Sequence, residues 1–251
     1  MAAAARVLIA AGGGDFPPIE SFDRVFPGDP PVRFVASVPR PRRRRRREVI
    51  DVNALYDARI TLEGIVPTRA RSWHDFMNAL VWGTFPRAKR ALHARQHRAI
   101  AERIEPGACT LPPARTRELD ALALLDEGGV LLLGSGPGAR AVLFGHAIYE
   151  SLALGIPPVV VAALVLDVDD GALPAVDQAL ARRIEDGARL RTPEELRRVE
   201  LSKELAGGEL SKELAGGELS KELGGVELAG TTTAIQGDAS ATDAGYKASP
   251  R

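Results

Sequence analysis

A helix-dominated α+β domain with a small sheet that includes a hairpin is the fold this sequence predicts. Three observations carry that expectation. Residues 72–85 and 87–104 place apolar side chains at helical spacing, on either side of a proline. Residues 32–37, 130–133 and 159–166 are apolar runs too short for independent helices and rich in Val and Leu. The composition, 45% hydrophobic but only 5% aromatic over 251 residues, suits one core of ordinary size built mainly from Leu, Val and Ala.

Taken in order, residues 1–14 are small and Gly-rich and read as a ragged start. Residues 15–200 read as a single globular domain. Within it, 32–37 is a strand, and 39–47 is an inserted loop in which six consecutive arginines, 42–47, follow Pro39 and Pro41. Like charges at that density repel and favour a solvated conformation. Residues 48–59 read as helical, ended by Gly64 and Pro67. Ser72 is an N-cap with Asp75 three residues on, in a capping-box arrangement. Trp73, Phe76, Met77, Leu80 and Val81 then form an apolar stripe, and Pro86 both ends that helix and opens the next. Residues 120–125 and 130–133, separated by Asp126-Glu127-Gly128-Gly129, read as a hairpin. Residues 134–138 are a loop, 139–154 a buried helix, 155–158 a turn and 159–166 a buried strand. Residues 174–186 and 193–205 read as surface helices. From Leu201 the sequence LSKELAGGE occurs twice and LSKELGGVE once. A nine-residue period matches no coiled coil, and each Gly costs a helix about 1 kcal/mol. Residues 201–229 are therefore expected as frayed helix or disorder, and 230–251 as disordered tail.

The formal net charge is zero, so no nucleic-acid or membrane partner is demanded. The longest apolar run, eight residues, is far short of a membrane span, and the start lacks the apolar length of a secretory signal. A soluble, cytoplasmic protein is expected. One cysteine, Cys109, allows neither an internal disulfide nor a multi-cysteine zinc site.

Both tryptophans and three of the four histidines fall between Pro67 and His97. His74, Asp75 and Asn78 share the face of their helix opposite the apolar stripe, and Trp82 continues that side. Such a group can orient a water, a metal or a polar substrate; it can equally be a cap, an exposed imidazole and a loop-bonding amide. His93 and His97 stand at the i, i+4 spacing of two-histidine zinc helices. The residues between them, Ala-Arg-Gln, supply no glutamate base, and a packing pair is favoured. His146 and Glu150 are also four apart, in an apolar helix where an unpaired charge is too costly; an acid/base pair, two metal ligands and a core hydrogen bond are all open. Asp126 and Glu127 are adjacent acids at an expected turn. Gly134 to Ala139 reads G-x-G-x-x-A, a weak outline of a nucleotide-binding loop, from which Pro137 removes one N–H donor. The arginine run lacks interleaved aromatics, which leaves nucleic acid possible as a partner but not favoured.

Four segments in this order, YDARITLEGIVPTR, SWHDFMNALVWGTFPRAK, DALALLDEGGV and FGHAIYE, resemble a bacterial family of proteins of unknown function, the domain family numbered 3025. The resemblance covers about 16–198 and carries no activity with it. It implies that Arg69, Trp73, His74, Asp75, Asn78, Trp82, Pro86, Lys89, Asp120, Asp126, Glu127, His146 and Glu150 occupy motif positions. It further implies that the glycine loop is a local shortening, that His93 stands where Asn is usual, and that Ala123 replaces a Thr. The arginine run is then an insertion, and the repeats replace a Pro- and Trp-rich ending.

These readings converge on a polar pocket in which His74, Asp75 and Asn78 meet Asp126, Glu127, His146 and Glu150. Two histidines with several carboxylates are a ligand set for a divalent metal of hydrolytic or oxygen chemistry. In that arrangement His74, His146 and Glu150 are the expected ligands, and a remaining carboxylate is the general base. Arg69, Trp82 and Lys89 contact substrate, the two cations holding an anionic group. The alternative is a non-catalytic binding module whose same residues form a buried polar network. A weaker alternative is nucleotide binding at the glycine loop.

Overall fold

A computed structural model describes residues 16–37, 49–134, 140–153, 159–168 and 171–201. The expected ragged start, the arginine run, the turn at 155–158, residues 135–139 of the glycine loop, the repeats beyond Leu201 and the tail lie outside the described residues.

The architecture is α+β, rich in helix. A 3-10 helix, Ile19–Val25, precedes β1, Arg33–Ala36. A one-turn α1, Tyr56–Ala58, continues as a π-helix, Arg59–Glu63. Gly64 stops it in the left-handed conformation, φ 65°, a backbone state open to Gly at little cost. β2, Ile65–Thr68, then pairs in parallel with β1, Phe34 opposite Val66. The strand at 32–37 is expected from sequence, whereas β2 is not, because Pro67 argues against a ladder strand; here it stands in a two-stranded sheet, where edge positions tolerate a missing N–H.

Helices α2, Trp73–Thr84, and α3, Pro86–Ala101, meet at Phe85. Ser72 caps α2 as expected, its Oγ accepting from the Asp75 N–H at 3.3 Å, and Phe76, Met77, Leu80 and Val81 are buried in the core. The N-terminus of α3 has no cap from its own segment. Asp177 supplies one from helix α6, Leu173–Glu185: its carboxylate accepts from the N–H groups of Arg87 at 3.2 Å and Ala88 at 2.9 Å. Arg95, fully buried, pins the other end of the same pair of helices. It bonds Glu118 at 2.6 Å and the carbonyls of Ile184 at 2.8 Å and Arg189 at 2.7 Å.

The region expected to be a hairpin is different. Residues 120–125 belong to helix α4, Arg117–Gly128, started by a Thr116 cap on the Leu119 N–H at 3.1 Å. Ala121, Leu122 and Leu125 bury one side of it. The acids Asp126 and Glu127 therefore sit in the last turn of a helix and not at a hairpin tip. A true antiparallel pair follows: β3, Gly129–Leu133, against β4, Arg140–Leu143, with Val130 opposite Leu143. Residues 140–143, expected as helix, are strand, and helix α5 begins only at His146 and runs to Ala153. β5, Val159–Leu166, lies parallel to β3, and β6, Arg197–Leu201, antiparallel to β5, giving the order β4-β3-β5-β6. The helix expected over 193–205 is a 3-10 turn, Pro193–Glu195, followed by β6. The β-branched Val199 and its pairing with Val161 outweigh local helical preference there.

One joint positions the site. Gly145 lies against the backbone of Glu127, Gly128 and Gly129, where a Cβ would overlap main-chain atoms. The N–H groups of Phe144 and Gly145 both reach the Gly129 carbonyl, at 3.0 and 2.8 Å. The end of α4 and the start of α5 are thereby held in contact.

Candidate metal centre

Three ligand atoms from three helices converge. His74 projects from the first turn of α2, Glu127 from the last turn of α4 and His146 from the first residue of α5. The two Nε2 atoms are 2.9 Å apart. Glu127 Oε2 is 3.3 Å from His146 Nε2 and 3.9 Å from His74 Nε2. A tetrahedral ion with bonds of about 2.0–2.1 Å separates its ligands by roughly 3.3–3.4 Å, and the three observed separations bracket that value. Among the described residues this is the group of three or more His, Cys or acidic side chains with metal-binding geometry.

One imidazole, His74, is hydrogen-bonded to a carboxylate on its other nitrogen, while His146 Nδ1 is buried without a hydrogen-bond partner. His74 Nδ1 lies 3.1 Å from Glu150 Oε2, one turn into α5. That contact fixes the proton on Nδ1 and leaves Nε2 with its lone pair facing the cluster. His146 Nδ1 faces Asp126 Oδ1 at 3.8 Å, and Asp126 is in turn ion-paired with Lys89, which has no exposed surface. Lys89 also lies over the Trp82 ring, 5.7 Å from its centre.

The electrostatics follow from burial. His146 is 3% exposed, and desolvation, aided by Lys89 and the neighbouring His74, pushes its pKa down to about 3 against the opposing pull of Asp126. The ring is neutral at physiological pH, the state a metal ligand requires. Burial works against ionising Asp126 too, but Lys89 and His146 override it and hold its carboxyl below the usual range. Glu127, its side chain half exposed, is raised by desolvation and by the neighbouring Asp126 charge.

The other expected site residues fall around this centre. Glu127, rather than Glu150, completes the group of three, because Glu150 is engaged at the far nitrogen of His74. Asp75 turns away to Arg69, accepting from its backbone N–H at 2.6 Å and from its guanidinium, so the capping box does not close. Burial opposes the Asp75 charge, but the bonds from Arg69 keep its pKa low. Asn78 is buried, and its Oδ1 has no hydrogen-bond partner. Trp82 is wholly buried, stacked at 5.6 Å and 7° on His93.

His93 is not half of a chelate with His97: its Nδ1 is taken by Asp57 at 2.8 Å. Tyr56, Asp57 and Gln96, which no spacing in the sequence marks as site residues, line with His93, Asp126 and Glu127 a cavity of about 520 Å³. The one signal available was Tyr56-Asp57 opening the first motif segment, ahead of Arg59.

Residues 45–141 match the model of a family described as "Protein of unknown function (DUF3025)". No curated protein and no solved structure matches the chain.

Proposed function

Starting from a chain whose residues 45–141 match the model of the DUF3025 family, we propose that His74, Glu127 and His146 hold a divalent metal, zinc first among candidates, in a hydrolase-like enzyme. The observation that carries this reading is the pair of Nε2 atoms at 2.9 Å, aimed at a common carboxylate, with Glu150 behind the His74 ring. Two lone pairs at that distance repel unless a proton or a cation lies between them. The carboxylate–histidine arrangement orients ligands in metal sites. Three protein ligands leave a fourth position open, the pattern of catalytic rather than structural zinc, and Glu127 also lines the cavity. A divalent ion bound there polarises a carbonyl or phosphoryl oxygen and lowers the pKa of a bound water.

In this reading Glu150 orients His74, while Lys89 keeps Asp126 ionised beside the His146 ring. Arg69 and Asp75 hold each other at the start of α2 and serve the frame. The zinc-loaded protein should turn over at least one of a panel of p-nitrophenyl esters, p-nitrophenyl phosphates and aminoacyl p-nitroanilides. His146→Ala should lose the activity, and Glu150→Gln should lower it by about 10–100-fold through weakened metal affinity. Stoichiometric zinc without turnover on any of the three would remove the enzyme and keep the metal site.

A second reading, a binding module with a buried polar network, is favoured by the chain of contacts that runs from Asp126 through Lys89 and Trp82 to His93. It expects a folded protein that takes up no metal and whose His74→Ala variant merely melts at lower temperature.

A further inference from the structure

The cavity beside the metal centre has a chemistry of its own. His93, Gln96, Ile100 and Arg103 stand at i, i+3, i+7 and i+10 along α3 and its C-terminal extension, one helix side running about 15 Å. His93 is 2% exposed. Asp57 fixes the proton on its Nδ1, so Nε2 is a hydrogen-bond acceptor, and that atom is buried without a partner. Gln96 Oε1 is a second buried acceptor without a partner. Buried polar atoms of this kind are rare unless a ligand or water satisfies them. Arg103 and Arg115 also line the cavity, and neither has a carboxylate partner among the described residues; Arg103 donates to the Ala114 carbonyl at 2.7 Å. Leu111 and Pro112 add an apolar wall.

We propose that this cavity binds a short peptide or peptide-like amide with a free carboxylate. The acid group lies on Arg103 and Arg115, the amide N–H groups donate to His93 Nε2 and Gln96 Oε1, and an apolar side chain rests on Ile100, Leu111 and Pro112. The length fits, since two extended residues with an acyl cap span about 10 Å at roughly 3.3–3.6 Å per residue. The volume lies within the usual range for small-ligand sites. The inference rests on the metal-hydrolase reading for its chemistry. Water adds its oxygen to the amide carbonyl carbon, the C–N bond breaks, and the amine leaves carrying a proton from that water.

The test uses N-acetyl-Ala-Leu and its methyl ester as probes, titrated by calorimetry into the full-length protein with and without zinc. The free acid should bind at least about tenfold more tightly than the ester, as charge-assisted bonds to a guanidinium require. Arg103→Gln and Arg115→Gln, both exposed positions, should erase that preference while leaving zinc uptake unchanged. His93→Phe, which keeps the stacking on Trp82, should weaken both probes. Equal affinity for acid and ester, an unaltered preference in the arginine variants, or no binding of either probe at millimolar concentration would overturn the proposal. Zinc uptake without probe binding sinks the peptide pocket alone; probe binding by a protein that takes up no zinc sinks the metal reading alone.

Discussion

A neutral imidazole enclosed beside a lysine is the group on which most depends at the scale of single residues. Because burial, Lys89 and His74 drive the His146 pKa from its ordinary 6.5 to about 3, the unfolded chain binds a proton in that window that the native ring refuses. Stability therefore rises with pH between about 3 and 6.5, and the contribution is complete above 6.5 and lost toward pH 3. Urea unfolding of the metal-free protein at pH 5 and pH 7.5 should show this slope, and His146→Leu should flatten it; equal slopes in both would contradict the assignment. Lys89→Met leaves Asp126 buried without its cation and should cost about 3–5 kcal/mol in the same assay. His74 and His146 were legible in the sequence because histidine is scarce and each has a polar residue four positions on, Asn78 and Glu150, whereas Glu127 stood out only as one of two adjacent acids and Glu150 was the acid expected as ligand. Tyr56 and Asp57 were not. They sit in a single α-turn that passes into a π-helix, with no periodicity to mark which way they face.

Between elements, the decisive joint is Gly145 against Glu127–Gly129. Gly145→Ala must force the backbone of α4 and α5 apart, moving Glu127 from His146 with no change of ligand chemistry. We expect zinc affinity to fall by more than about tenfold even where the variant remains folded by circular dichroism, since a metal site tolerates only about 0.5 Å of misplacement. Unchanged affinity would show that the joint does not set the site. Asp177→Ala removes the cap of α3 and should lower stability by about 1–2 kcal/mol, read as a shift in urea midpoint with unaltered slope. Helices α2 and α3 were legible from periodicity, cap and proline together. Helix α4 was not, because Gly128-Gly129 imitates a hairpin turn. The pairing of Ala121, Leu122 and Leu125 on one side, and the Thr116 cap, were the evidence that favoured a helix. β4 was lost for the opposite reason: RAVL continues smoothly into the apolar α5, and only its pairing with β3 selects a strand.

In the whole molecule, three distant parts of the chain meet at one point, His74, Glu127 and His146. The sequence named the four motif segments but carried no information on whether they meet. That convergence depends on sheet order, with β3 between β4 and β5, and on the packing of α2 against α5, which are set by long-range contacts. The helix-rich α+β class was legible from element lengths alone, and no helix among the described residues is long and apolar enough to cross a membrane. A ligand that binds only the native state stabilises it, by about 2.7 kcal/mol at a hundred times its Kd. For a chain of this size that raises Tm by roughly 5–10 °C, and the rise should vanish in His74→Ala. The most direct test of the metal centre is equilibrium dialysis against zinc followed by elemental analysis, on wild type, His74→Ala and His146→Ala. One zinc per chain in wild type and none in either variant is the predicted result. A folded wild type that retains no zinc, or variants that retain it fully, would contradict the shared site.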